Sequence, residues 1–214
     1  MGTILKGISS FVAHDLTHMK INDKHRLITF DIKDLYVNIP TKETLKIAKT
    51  MLTTRNNKII TQQMTQLLEI TLQQNYFIFV NKLYQPEKGI SMGSPLSNDI
   101  VKIFLQHEEQ TLLNQLMDQK TTDYYTRYVD DILVIYNTDK TNTETICNYL
   151  NTIHIIIFTP TQEQNKTINF LDLLITRKTN TLDINIKRKP TTTDTTINYY
   201  SNHPMEHKLA AYRF

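Results

Sequence analysis

Along the start of the chain, Ile4, Leu5, Ile8, Phe11, Val12, Leu16 and Met19 recur every three or four positions, the spacing of one buried helix face. The pattern then changes. Arg26 to Ile32 is an apolar run that reads as a strand, with Asp31 where it ends. Pro40 and Thr41 start a helix, with Thr41 as its N-cap and Glu43 in its first turn. Thr61 caps the next, which carries Met64, Leu67, Leu68 and Leu72. Strands at 76–80 and 83–85 flank Asn81-Lys82 as a tight hairpin. A long helix covers 95–116. Strands 124–129 and 132–136 flank Asp130-Asp131 as a second hairpin. A helix over 142–153 leads into a strand at 155–158, and strands 168–176 and 182–189 follow, joined by a turn at Asn180. The Thr-rich stretch 191–196 reads as a loop.

With the inserted pieces left out, the order is strand 26–32, helix 95–116, strands 124–129 and 132–136, helix 142–153, strand 155–158. That is a split β-α-β-β-α-β unit, and an α+β fold with an antiparallel sheet and helices on one face is expected. This unit hosts many functions, so chemistry has to come from the residues it brings together.

Composition changes the picture little. The chain has 214 residues, 40% hydrophobic and 21% charged, enough for a real core. Its net charge is +3, but from Thr176 to Phe214 seven basic residues face three acids, so the C-terminal segment exceeds the whole chain's surplus. Cys147 is the only cysteine, which excludes an intramolecular disulfide and a cysteine-rich zinc site and suits a reducing compartment. No apolar run is long enough to span a membrane, and the N-terminus lacks the pattern of a signal peptide. An intracellular protein, with the nucleus favoured over the cytoplasm, is the expectation.

Candidate chemistry lies in three carboxylates. Asp31 ends a strand, and Asp130 and Asp131 sit at a hairpin tip; the split unit makes those strands central neighbours, so all three converge at one edge. Isolated acids there repel each other. A divalent cation relieves the repulsion: Mg²⁺ takes hard oxygen ligands at roughly 2.0–2.1 Å. Two such ions about 3.5–4 Å apart carry an in-line phosphoryl transfer. Read singly, each acid is as easily a turn or cap residue. A second feature is Lys88-Gly89-Ile90-Ser91-Met92-Gly93-Ser94-Pro95-Leu96, which holds two of the chain's four glycines. Its plain reading is a turn into the long helix, with Ser94 as cap and Pro95 at the first helical position.

Phe30 to Pro40 (FDIKDLYVNIP) resembles the first catalytic motif of reverse transcriptases, Gly89 to Pro95 the second, and Tyr128-Val129-Asp130-Asp131 the third. Asn169-Phe170-Leu171-Asp172, Lys187-Arg188-Lys189-Pro190 and the Ser201-Asn202-His203-Pro204 to His207-Lys208 segment are similar to the Penelope-like retroelement branch. The resemblance implies a right-hand polymerase palm over residues 26–214, with partial fingers and a primer-grip-like C-terminal strand region, preceded by a helical segment at 1–25. It implies an RNA-directed DNA polymerase working on an RNA template, a DNA primer and deoxynucleoside triphosphates, with Mg²⁺ or Mn²⁺. Asp31 and Asp130 would ligate both metals, assisted by Asp131 and the Ile32 carbonyl. Tyr36 would lie under the sugar and exclude a 2′-hydroxyl, and Gly93, Ser94 and Pro95 would shape the nucleotide and template contact. Strands 168–176 and 182–189 would hold the primer end, with Lys187, Arg188 and Lys189 against nucleic acid.

Departures are visible too. Lys88 stands where many members have Gln, Asn98 where proline is common, and Lys166 is only a weak match to the lysine that protonates pyrophosphate. The fingers normally lie where only some thirty residues precede Asp31, and no thumb is expected within these 214 residues. Two other readings share the carboxylates: a viral-type RNA-templated RNA polymerase and an inert RNA-binding remnant. The first prefers Gly before Asp-Asp and an acid rather than an aromatic at the Tyr36 position, and Val129 and Tyr36 argue against it. Smaller candidates are His203 and His207 as a metal pair, Tyr199-Tyr200 as a base-stacking pair, and Glu108-Glu109, which read as a solvated helix face.

Overall fold

The computed structural model describes residues 2–55, 57–86, 88–118, 122–152, 156–188 and 197–209, with side chains from residue 9 onward except at 55 and 111–118. Lys189, the Thr-rich stretch 191–196 and Ile155 lie outside the described residues. The first half runs α1 (Gly2–His18), β1 (His25–Lys33), α2 (Leu35–Asn38), α3 (Thr41–Arg55), α4 (Lys58–Gln73), β2 (Phe77–Phe79), β3 (Lys82–Tyr84) and α5 (Ser97–Asp118). Then come β4 (Thr122–Tyr128), β5 (Asp131–Asn137), α6 (Thr143–Leu150), β6 (Ile157–Gln162), β7 (Thr167–Phe170), β8 (Leu173–Arg177), β9 (Leu182–Ile186) and α7 (Met205–Leu209). No helix among the described residues is long and apolar enough to cross a membrane.

The main sheet has the order β4-β5-β1-β6 and is antiparallel throughout. This is the expected split unit, with β1 and β5 adjacent at its centre. Strand alternation assigns its two faces. Ile28, Phe30 and Ile32 of β1 and Ile132, Val134 and Tyr136 of β5 point into one core with Phe104 and Leu105 of α5 and Ile146 and Leu150 of α6. Leu27 of β1 and Leu133 and Ile135 of β5 point the other way, into a second core with Val12 and Leu16 of α1 and Ile168, Phe170, Leu173 and Ile175 of β7 and β8. Among the described residues, the second core covers that face at one end only. At the other end of the same face stand the exposed Asp31 and the half-buried Asp131.

β7, β8 and β9 form a separate three-stranded antiparallel sheet. The expected single strand at 168–176 is therefore two strands, broken at Leu171-Asp172, with Phe170 paired to Leu173. A buried ion pair ties this sheet to the first. Arg177 Nη2 donates to Glu163 Oε1 at 2.6 Å, and the Leu27 amide donates to Glu163 Oε2 at 3.2 Å. The two side chains are only 5% and 10% exposed.

Several element ends differ from expectation for local reasons. α4 starts earlier, capped by Asn57, whose Oδ1 accepts from the Ile60 amide at 2.9 Å; Thr61 is buried one turn inside it. α3 opens on Thr41 itself, and the Pro40 carbonyl takes the Thr44 amide at 2.9 Å. α6 is capped by Asn142 and stops at Leu150, where Asn151 Oδ1 turns to accept the Phe158 amide at 2.8 Å. β6 extends through Pro160, tolerable because β6 is an edge strand. Both tight hairpins turn one residue earlier than expected. Val80-Asn81 turns β2 into β3, and Val129-Asp130 turns β4 into β5.

Candidate active site

The one-residue shift in the second hairpin decides the geometry. Asp131 is not on the tip; it is the first residue of β5 and lies directly opposite Asp31 of β1. Residues opposite each other in an antiparallel pair project to the same face. Tyr128, paired with Asp131 from β4, shares that face. Asp130 occupies the turn itself, and its carbonyl accepts the Ile32 amide at 3.1 Å. Ile32 reaches the site through its backbone alone, because its side chain is buried in the core. Val129 has φ 55, a left-handed conformation that a β-branched residue rarely adopts.

Among the described residues none of the three carboxylates is in an ion pair. Burial, then the charges of Asp130 and Asp31, hold the Asp131 carboxyl above the usual carboxylate range. The donor set fits a hard divalent cation: carboxylate oxygens, mutually repelling, with no cationic side chain among the described residues in ion-pair contact with them. The three are brought to one end of the sheet face, but no group of three His, Cys, Asp or Glu among the described residues stands tightly enough to hold an ion. The site is a set of donors rather than a closed cage.

Tyr36 follows β1 in the short helix α2. Burial first, then the charges of Asp130 and Tyr128, hold its phenol above the usual tyrosine range. Its hydroxyl donates to Asn98 Oδ1 of α5 at 2.5 Å. The loop at 88–96 packs directly on this segment, with the Ile90 amide donating to the Tyr36 carbonyl at 2.7 Å. Gly89 is obligatory there: at φ +84, a Cβ would sit 2.5 Å from the Val37 carbonyl oxygen. Gly93 is needed for its φ of +101 and not for space, since nothing lies within 4 Å of a Cβ built on it. Gly93 and Ser94 line a cleft of about 370 Å³ with Leu72, Tyr76 and Ile90, and none of the three aspartates lines it. Ser94 and Pro95 do not open α5; the helix begins at Ser97, whose Oγ donates to the Ser91 carbonyl at 2.5 Å.

The remaining candidates are placed elsewhere. Lys187 and Arg188 follow β9, with the Lys187 amide donating to the Asp172 carbonyl at 2.8 Å. Lys166 lies in the β6–β7 turn. His203 precedes α7 and His207 lies within it, and they form no metal-binding group among the described residues. Tyr199 and Tyr200 are exposed, with Lys208 Nζ 5.5 Å from the Tyr199 ring centroid.

Glu109 corrects the reading of Glu108-Glu109 as a solvated face. It accepts from Arg127 Nη2 at 2.8 Å, from Arg127 Nε, and from the Tyr125 hydroxyl at 2.7 Å. The signal was present in the sequence: Glu108 and Glu109 stand four residues after Phe104 and Leu105, so they continue the apolar stripe of α5. Burial accordingly raises the Glu108 carboxyl.

The family model for reverse transcriptase (RNA-dependent DNA polymerase) matches residues 4–170, from α1 to the end of β7. The chain belongs to the reverse transcriptase family. Its fold is that of a right-hand polymerase palm, shared with solved telomerases. Apo telomerase of Candida tropicalis, truncated from its C-terminal domain, superposes with TM-score 0.62 at 15% identity, over 87% of this chain and 40% of that one. Telomerase of Candida albicans, in complex with a TWJ fragment of telomeric RNA, gives TM-score 0.63 at 16% identity, over 86% of this chain and 35% of that one. This reverse transcriptase chain thus spans well under half the length of those proteins. No curated protein matches its sequence.

Proposed function

We propose that this chain carries the polymerase centre of a reverse transcriptase from a retroelement of the Penelope-like branch, adding deoxynucleotides to a DNA primer on an RNA template. The observation that carries the reading is Asp31 directly opposite Asp131 with Asp130 on the adjoining turn, at the end of a sheet face that the second core leaves clear among the described residues. Asp31 and Asp130 would hold the divalent ions through their carboxylate oxygens, with Asp131 in support. Bound there, magnesium or manganese supplies activation of the primer hydroxyl and neutralisation of the leaving pyrophosphate oxygen. The protein's own part is positioning. Tyr36 lies beneath the incoming sugar, fixed at both ends: its hydroxyl by Asn98 and its carbonyl by Ile90. Gly93, Ser94 and Pro95 shape the nucleotide and template contact. The β7–β9 sheet, with Lys187, Arg188 and Lys189, holds the primer end.

The branch assignment is supported by the Asn169–Asp172 and Ser201–Lys208 segments. Val129 and Tyr36 speak against a viral-type RNA polymerase. The test is extension of a DNA primer on an RNA template with deoxynucleotides and Mg²⁺. The wild-type chain extends it, and Asp130→Asn lowers the rate at least about a hundredfold, as loss of a metal ligand should. Near-normal rates in Asp130→Asn remove that aspartate from the mechanism, and template binding without extension by wild type points to an RNA-binding remnant.

A further inference from the structure

We infer that Glu109 and Arg127 are positioning residues for Asp130, acting through the Val129 carbonyl; the inference rests on the metal-site reading above. A two-residue turn with positive φ at its first central position ordinarily carries glycine there. Here the residue is Val129, and a left-handed L-residue costs about 1–2 kcal/mol. Some contact must hold the turn against relaxing, because its next residue is Asp130.

Two contacts do so. One is the Ile32 amide on the Asp130 carbonyl at 3.1 Å. The other is Arg127 Nη1, which donates to the Val129 carbonyl at 3.0 Å. The Arg127 guanidinium is itself fixed from behind. Its Nε and Nη2 fork onto the two carboxylate oxygens of Glu109, and the Tyr125 hydroxyl shares Glu109 Oε1. Burial first, then Glu109, keeps the Tyr125 phenol protonated and therefore a donor. Arg127 and Glu109 are only 13% and 19% exposed, so water competes little for these bonds.

The direction of the clamp separates positioning from catalysis. Arg127 pairs with Ile132 and Tyr125 with Val134, whose side chains point into the helix-side core. The clamp therefore lies on the sheet face opposite Asp31 and Asp131 and touches no substrate. Its route to the site is the Val129 carbonyl, and its post is α5. A lysine at 127 keeps the charge but cannot fork onto Glu109 and reach Val129 together.

The test uses the full chain with Arg127→Lys and Glu109→Gln, each in the natural and in a Val129→Gly background. Mn²⁺ affinity is read by electron paramagnetic resonance, and turn order by hydrogen exchange of the Ile32 amide. Arg127→Lys should weaken Mn²⁺ binding about tenfold, the size expected for groups that orient a ligand, and speed Ile32 exchange. Glycine adopts the turn unaided, so in Val129→Gly both effects should shrink to less than about threefold. Equal losses in the two backgrounds, or unchanged exchange in Arg127→Lys, overturn the clamp. Asp130→Asn serves as control. If it leaves Mn²⁺ affinity unaltered, the metal reading of the site fails, while Ile32 exchange still decides the clamp.

Discussion

Two hairpins of this chain turn through the same backbone shape. Tyr128-Val129-Asp130-Asp131 and Phe170-Leu171-Asp172-Leu173 both run aromatic, aliphatic, aspartate, and both put the aliphatic residue at positive φ, 55 for Val129 and 52 for Leu171. Their surroundings differ. The first turn delivers Asp131 opposite Asp31, whereas the second delivers Leu173 opposite Ile186. The Val129 carbonyl is held by Arg127; no side chain among the described residues bonds the Leu171 carbonyl. An aliphatic-Asp turn therefore does not make a site. The neighbouring strand must supply the second carboxylate, and the turn must be held where that carboxylate is.

The contrast can be broken at several points. The second hairpin belongs to a sheet tied to β1 by the buried Arg177–Glu163 pair, so Arg177→Ala should cost about 3–5 kcal/mol, read as a lowered urea midpoint. A loss below about 1 kcal/mol would mean that the apolar core alone joins the two sheets. Near the first hairpin, Tyr36→Ala should admit ribonucleotides while largely sparing deoxynucleotides, measured as the ratio of their incorporation efficiencies. An unchanged ratio in folded protein rules out the gate. If Tyr36 is instead a packing residue, its loss costs about 3–5 kcal/mol and depresses both substrates together. Tyr36→Phe removes only the bond to Asn98 and should cost about 0.5–1.5 kcal/mol of stability; Asn98→Ala should then add almost nothing to it. The smallest effects belong to the turns. Val129→Gly and Leu171→Gly should each shift stability by under about 1 kcal/mol, because relief of left-handed strain offsets lost packing and added chain entropy. A larger drop in either by thermal melting would mark that side chain as core.

Much of this was legible in the sequence, and the failures have common causes. The split unit emerged because each of its strands and helices carries its own period, and the three acids were visible as polar interruptions of apolar runs. Both tight turns were placed one residue late, since Val80 and Val129 look like strand residues and only the fold forces them to positive φ. The break at Leu171 was hidden for the same reason. A phase slip marks it, however: Ile168 and Phe170 alternate on even positions, Leu173 and Ile175 on odd ones. Glu109 was misread because a charge pair on a helix is usually solvated, and its partner Arg127 lies on a strand that periodicity cannot place against α5. Asn98 was noticed as a departure, but its bond to Tyr36 depends on a loop packing that no local pattern announces.

The most direct test sets the two turns against each other. Divalent-ion affinity of the full chain is measured by Mn²⁺ titration for wild type, Asp130→Asn and Asp172→Asn. The account predicts that Asp172→Asn binds as wild type does, while Asp130→Asn loses at least about tenfold in affinity, as removal of a ligand requires. Equal affinities in all three, or an equal loss in both variants, would contradict the claim that only the turn facing Asp31 forms the site.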